Sequence, residues 1–192
     1  MGHITDKEFI RGEVPMTKQE VRAISVAKLM LEEDSVLIDV GAGTGSVGIE
    51  AATYLKTGKV YAIEKKSEGI ELIKKNIEKF GIKNLEIIHG TACDDLSIKN
   101  FDRMFVGGSA GQMESIVEYF STYSKEGGII VVNAISLETL FETQKYFEKY
   151  NLKDVGIVNI AVSRGKKVGS YTMMYGENPI YIISGRKGEI NE

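Results

Sequence analysis

Five short runs rich in β-branched and aliphatic residues, VLIDV, KVYAIE, LEIIHG, FDRMFVGG and GGIIVVNAI, recur between residues 36 and 135. The segments between and after them, SVGIEAATYL, EGIELIKKNIEKF, QMESIVEYFSTY and LETLFETQKYFEKY, carry apolar residues at helical spacing instead. A period of two that gives way to 3.6 and then returns describes βαβ units, which lay their strands parallel in one sheet with helices on its faces. A further helix is predicted earlier, in TKQEVRAISVAKLML, where Thr17 and Glu20 have capping-box spacing. Gly81 is placed to stop the helix that ends in IEKF. The end of the chain breaks the pattern: KDVGIVNIAVSRG and YTMMYGENPIYIISGRK have no helix between them. They are expected to close the sheet with an antiparallel edge.

A chain of 192 residues suits one buried core, so residues 1–192 are read as a single domain. No apolar run approaches the ~20 residues of a membrane span. The start, MGHITDKEFIRGE, lacks a basic region followed by an apolar core, and the lone Cys93 cannot form an internal disulfide. A cytoplasmic protein with no membrane partner is expected. The net charge of −3 gives no global pull toward nucleic acid. The two histidines, His3 and His89, form no ligand cluster in the sequence, so no protein-bound metal is expected.

The turn after the first run, DVGAGTG, concentrates backbone freedom where an open α/β sheet binds its ligand, at the carboxyl end of a strand. Gly41, Gly43 and Gly45 are spaced G-x-G-x-G; a dinucleotide fingerprint needs its third glycine at the position of Ser46. Glu64 ends the second run about twenty residues later, where a carboxylate can accept from ribose hydroxyls. With HGTAC ending the third run and bringing Ala92 toward an adenine ring, the three turns describe an adenosine site. A tight turn in some other α/β protein and an NAD-dependent reductase are the competing readings of the loop alone.

Glycine loop, ribose carboxylate and adenine-side turn together resemble the class I S-adenosylmethionine-dependent methyltransferases. The segments DKEFIRGEVPMTKQEVRAISVAKL, FVGGSAG and GGIIVVNAISLET narrow the resemblance to the decarboxylating cobalt-precorrin-6B methyltransferases of cobalamin biosynthesis, which act at carbon 15 of the macrocycle. No N-P-P-Y or D-P-P-Y motif follows the fourth run, which disfavours adenine amino methylation. The resemblance implies a Rossmann-like fold: a mostly parallel seven-stranded sheet with an antiparallel C-terminal edge and helices on both faces. It implies S-adenosylmethionine as methyl donor, a small-molecule tetrapyrrole as substrate with cobalt belonging to that substrate, and a homotetramer. Apolar stretches in GIVNIAV and PIYIIS also suggest self-association if they lie on sheet edges.

Carried over residue by residue, the family's cofactor site falls on Thr17, Asp39, Gly41, Ala42, Gly43, Thr44, Gly45, Glu64 and Ala92. Thr91 stands where related enzymes commonly have Asp; Asp94 and Asp95 are candidate replacements. Gly107, Gly108 and Ser109 are placed beside the transferred methyl group, with room for a flat substrate. Arg11 and the SRGKK segment, with Arg164, Lys166 and Lys167, are the candidates for holding substrate carboxylates, because guanidinium and ammonium groups pair with them efficiently. No general base is identified. The alternatives are a tRNA adenosine methyltransferase, which needs an extended basic surface, and a non-catalytic cofactor-binding protein of the same fold.

Overall fold

The computed structural model describes residues 3–92 and 95–188. After a short helical turn at Asp6–Glu8 come α1 (Gln19–Lys28), β1 (Val36–Val40), α2 (Ser46–Ala52), β2 (Lys59–Glu64), α3 (Ser67–Phe80), β3 (Leu85–His89), β4 (Phe101–Val106), α4 (Met113–Tyr123), β5 (Ser124–Ala134) and α5 (Leu137–Lys149). Four strands follow, β6 (Lys153–Ile160), β7 (Ser163–Val168), β8 (Tyr171–Gly176) and β9 (Ile180–Arg186). Seven strands form one sheet in the order β3-β2-β1-β4-β5-β9-β6. The pairs among β1 to β5 are parallel, and β9 runs antiparallel to both β5 and β6. The expected sheet is therefore present, reversed edge included.

Strand alternation sends neighbouring residues of β4 into different cores. Met104 packs with Phe120, Ile130 and Phe147 beneath α4 and α5, whereas Phe105 packs with Leu37, Val47 and Val131 beneath α1 and α2. These strands are covered on both faces, which is why they read as continuous apolar runs. Gly81 ends α3 at φ +65°, with the Ile82 N–H reaching back to the Ile77 carbonyl at 3.0 Å, a left-handed closure that glycine adopts without strain.

The tail departs from expectation. Strands β7 and β8 pair only with each other, as a hairpin separate from the main sheet. The SRGKK segment lies in strand β7, and PIYIIS, in β9, lies inside the sheet, leaving β6 as the edge at that end. The capping box predicted at Thr17 and Glu20 also fails. Lys18 occupies the N-cap of α1 with no side-chain bond, and the Glu20 carboxylate is taken by Arg164. An equivalent Thr–Glu pair closes the earlier turn, where the Glu8 carboxylate accepts from Thr5 N–H at 2.8 Å.

The segment before α1 is held down by one side chain. Arg22 is fully buried. Its Nε donates to Glu50 Oε2 at 2.8 Å, Nη1 to Asp6 Oδ1 at 3.1 Å and to the Thr17 carbonyl at 2.7 Å, and Nη2 to the Ile4 carbonyl at 2.5 Å. The guanidinium also stacks over Phe9, 4.8 Å from the ring centroid. Removing one partner of a buried ion pair leaves the other desolvated and uncompensated. Arg22→Ala is expected to cost about 3–5 kcal/mol of unfolding free energy, measured by urea denaturation; a loss under about 1 kcal/mol would show that Glu50 and Asp6 find other partners.

Candidate active site

Strand β1 lies between β2 and β4, where the strand order reverses, and the loops that follow β1 to β5 converge on a cleft of about 750 Å³. Gly41 and Gly43 lie on its wall at φ +68° and +59°. A Cβ on Gly41 would stand 2.7 Å from the Gly108 carbonyl, and one on Gly43 would stand 2.9 Å from the Pro15 carbonyl. The loop is thus clamped between the turn after β4 and the N-terminal segment, with no space for side chains. The N–H groups of Gly41 and Ala42 both reach the Ile63 carbonyl, at 3.0 and 3.1 Å, which fixes the loop against the end of β2.

Glu64 ends β2 and is 7% exposed. Its Oε2 accepts from the Gly43 N–H at 2.8 Å and its Oε1 from the Lys66 N–H at 2.9 Å. Each oxygen retains a further lone pair toward the cleft, so the carboxylate can still accept from a ribose. Helix α3 approaches closely because its Gly69 has no Cβ, which would lie 2.7 Å from Glu64 Cγ. Ala92, in the turn after β3, also lines the cleft. Asp95 is not among the residues lining the cleft, and its Oδ2 accepts from the Thr91 N–H at 2.8 Å, closing that turn. Cys93 and Asp94 lie outside the described residues.

The structure brings Thr17, Gly41, Ala42, Gly43, Glu64, Ala92, Gly107, Gly108 and Ser109 around this one cleft. Three residues expected with them lie beneath its wall. Gly45 is the N-cap of α2 at φ +77° and packs on Ile73 and Ile49. Thr44 is buried, and its carbonyl accepts from Asn76 Nδ2 at 3.0 Å. Asp39 is buried, with Oδ2 accepting from the Gly48 N–H at 2.9 Å and Oδ1 without a partner. Burial pushes the Asp39 carboxyl up to about 7; the Gly48 N–H opposes this and the nearby Glu64 charge adds to it. Asp39 therefore holds the first turn of α2 rather than lining the cleft.

The basic candidates lie outside the cleft wall. Arg11 is exposed and away from it, and Lys166 sits on β7, 5.2 Å from the centroid of the Tyr175 ring. Lys167 is exposed on the same strand. Arg164 donates to both Glu20 oxygens, at 3.0 and 2.7 Å, and to Glu177 at 2.6 Å, so its charge is already compensated. His89 faces the Lys65 carbonyl at 3.2 Å. Sequence reasoning missed Lys18 and Asn133 on the wall. It also missed Asn76, whose amide bonds both the N–H and the carbonyl of Ile10 as well as the Thr44 carbonyl. The signal for Asn133 was its place at the carboxyl end of a strand; a lone Asn in a helix gives none.

The precorrin methyltransferase domain family matches residues 8–187. The chain belongs to that family. A relative from Methanocaldococcus jannaschii, named "Probable cobalt-precorrin-6B C(15)-methyltransferase (decarboxylating)", is 43% identical over 183 residues, covering 94% of this chain and 96% of the relative. One of the same name from Saccharolobus solfataricus is 38% identical over 189 residues, with 96% and 95% covered. The crystal structure of precorrin-6y C5,15-methyltransferase from Geobacter metallireducens superposes with a TM-score of 0.90 at 35% identity, covering 96% of this chain and 97% of that one. This precorrin methyltransferase has the class I fold, and S-adenosylmethionine is the methyl donor to which fold and family point.

The raised carboxyl makes stability depend on pH. A group whose folded pKa lies above its unfolded value contributes stability that is complete below the unfolded pKa, near 4, and lost as pH rises through about 7. Asp39→Asn stays neutral throughout, so its stability relative to the parent protein is expected to rise between pH 4 and 7, on the order of 1 kcal/mol per pH unit. Urea titrations at pH 5, 6 and 7 test this; parallel profiles for the two proteins would mean that Asp39 ionises near its ordinary pKa.

Proposed function

We propose that this enzyme methylates carbon 15 of cobalt-precorrin-6B, using S-adenosylmethionine, and releases the ring C acetate carboxyl as carbon dioxide in anaerobic cobalamin biosynthesis. The observation that carries the reading is the likeness to relatives of that name across almost the whole chain, joined to a cleft whose adenosine-side residues end at an open, glycine-floored wall.

The residues fit the cofactor. Gly41 and Gly43 leave backbone where a Cβ would collide, Glu64 offers lone pairs to the ribose, Ala92 flanks the adenine, and Thr17 closes the site from the N-terminal side. When bound, S-adenosylmethionine supplies a methyl group as an electrophile. The chain's own contribution is placement, and holding two reactants at contact distance supplies much of a displacement's rate. Gly107 and Gly108 leave space for a broad planar ring, while Met16, Phe105 and Ile116 present an apolar wall that excludes water. Both carboxylates on the described wall are occupied, Glu64 by backbone N–H groups and Glu177 by Arg164. The electrons for the new carbon–carbon bond come from the macrocycle carbon that attacks the methyl group, and neither carboxylate is assigned as a base. The same conjugated ring receives the electron pair left when carbon dioxide departs.

The reading includes a cytoplasmic enzyme without nucleic-acid or membrane partners, and without a metal of its own. Among the described residues no helix is long and apolar enough to cross a membrane, and no three His, Cys, Asp or Glu side chains gather as a metal site. It also includes a homo-oligomer, a tetramer by family resemblance. The β7–β8 hairpin supports this, since Tyr171 is 76% and Met174 65% exposed on strands without other partners.

Calorimetry with S-adenosylmethionine is expected to show binding that Glu64→Ala weakens by about 1–3 kcal/mol. Mass spectrometry after adding cobalt-precorrin-6B should show one methyl gained and one carbon dioxide lost. Cofactor binding with no such change, together with methyl transfer to tRNA, would transfer the assignment to the tRNA alternative. Light scattering is expected to give the mass of four chains, falling in Met174→Lys; a monomeric parent protein would refute the assembly.

A further inference from the structure

The proposed substrate carries carboxylates around its rim, yet of the two arginines expected to hold them Arg164 is paired with Glu20 and Glu177 and Arg11 is not on the cleft wall. Lys18, Lys65 and Lys66 are the lysines on the cleft wall, and none of their ammonium groups has a hydrogen bond or ion pair among the described residues. Their positions differ. Lys65 and Lys66 directly follow Glu64, at the ribose end. Lys18 follows Thr17 and stands two residues before Glu20, which Arg164 ties to Glu177 at the base of the hairpin.

Lys18 also breaks a local rule. An N-cap normally supplies an oxygen to the orphan N–H groups of the first turn, and a cation there faces the positive end of the helix dipole. Lys18 caps α1 with no side-chain bond. An unfavourable placement with no compensating contact in the folded protein is typical of a residue kept for a ligand. We infer that Lys18 receives a peripheral carboxylate of the macrocycle and so sets the ring's orientation against the methyl-bearing end of the cleft. The inference rests on the tetrapyrrole reading and specifies one contact within it.

The test uses the full chain and uroporphyrin, an octacarboxylate tetrapyrrole, with its octamethyl ester as the uncharged control, followed by fluorescence. The parent protein should bind the acid in preference to the ester. Lys18→Ala should weaken acid binding roughly 5- to 20-fold, Lys18→Glu should weaken it further, and Lys18→Arg should restore most of it. Affinity for S-adenosylmethionine should be unchanged in Lys18→Ala, as should acid binding in Lys28→Ala, at the far end of the same helix. Parent-like acid binding by Lys18→Ala would overturn the assignment and leave the function standing, as would a loss seen only in Lys65→Ala or Lys66→Ala. If the parent protein binds no carboxylated tetrapyrrole, the functional reading falls and takes the Lys18 contact with it.

Discussion

The buried guanidinium of Arg22 is the point on which the cofactor side of the cleft depends. A guanidinium removed from water must satisfy its donors within the protein, and this one does so by drawing in groups from Ile4, Asp6, Thr17 and Glu50. Three of those partners belong to the segment ahead of α1. That segment has little regular structure of its own, so its path over the glycine loop is set by where Arg22 and Asn76 accept it. Pro15 then reaches the Gly43 turn, and Thr17 reaches the cleft.

Below this cover, the glycine loop is constrained from three directions. Gly41 touches the turn after β4, Gly43 touches Pro15, and the Gly43 N–H is held by Glu64. Glu64 thus serves the loop and faces the proposed ribose position at the same time, so the geometry of one depends on the other. Asp39 adds a second acidic group beneath the loop, and its burial beside Glu64 favours the neutral form. With the Asp39 carboxyl pushed up to about 7, the two acidic groups do not both carry a full negative charge in this small space near neutral pH.

The proposed substrate side is built on a different principle. Its wall is mostly apolar or glycine, and the Arg164 guanidinium is neutralised by Glu20 and Glu177. The Arg164 cluster also connects the hairpin to α1, so charge that reads in sequence as substrate recognition serves in the structure to position β7.

The sequence by itself determined the alternating layers, the reversed edge and the strand-end turns that carry Gly41, Gly43, Glu64 and Ala92, because hydrophobic period and backbone freedom are local properties. The motif also placed Gly107 to Ser109 on the cleft, since a loop after a parallel strand can only emerge at the carboxyl edge of the sheet. Which charges are free was not local. Arg164 and Glu20 are 144 residues apart, Arg22 and Glu50 are 28 apart, and Thr44 meets Asn76 only where α3 folds back on the loop. The hairpin left the main sheet although its residues have ordinary strand character, because partner choice depends on which edges remain after β9 inserts between β5 and β6. Tertiary structure alone decided these points, since an ionic or polar side chain takes its role from the partner that burial brings within about 3 Å.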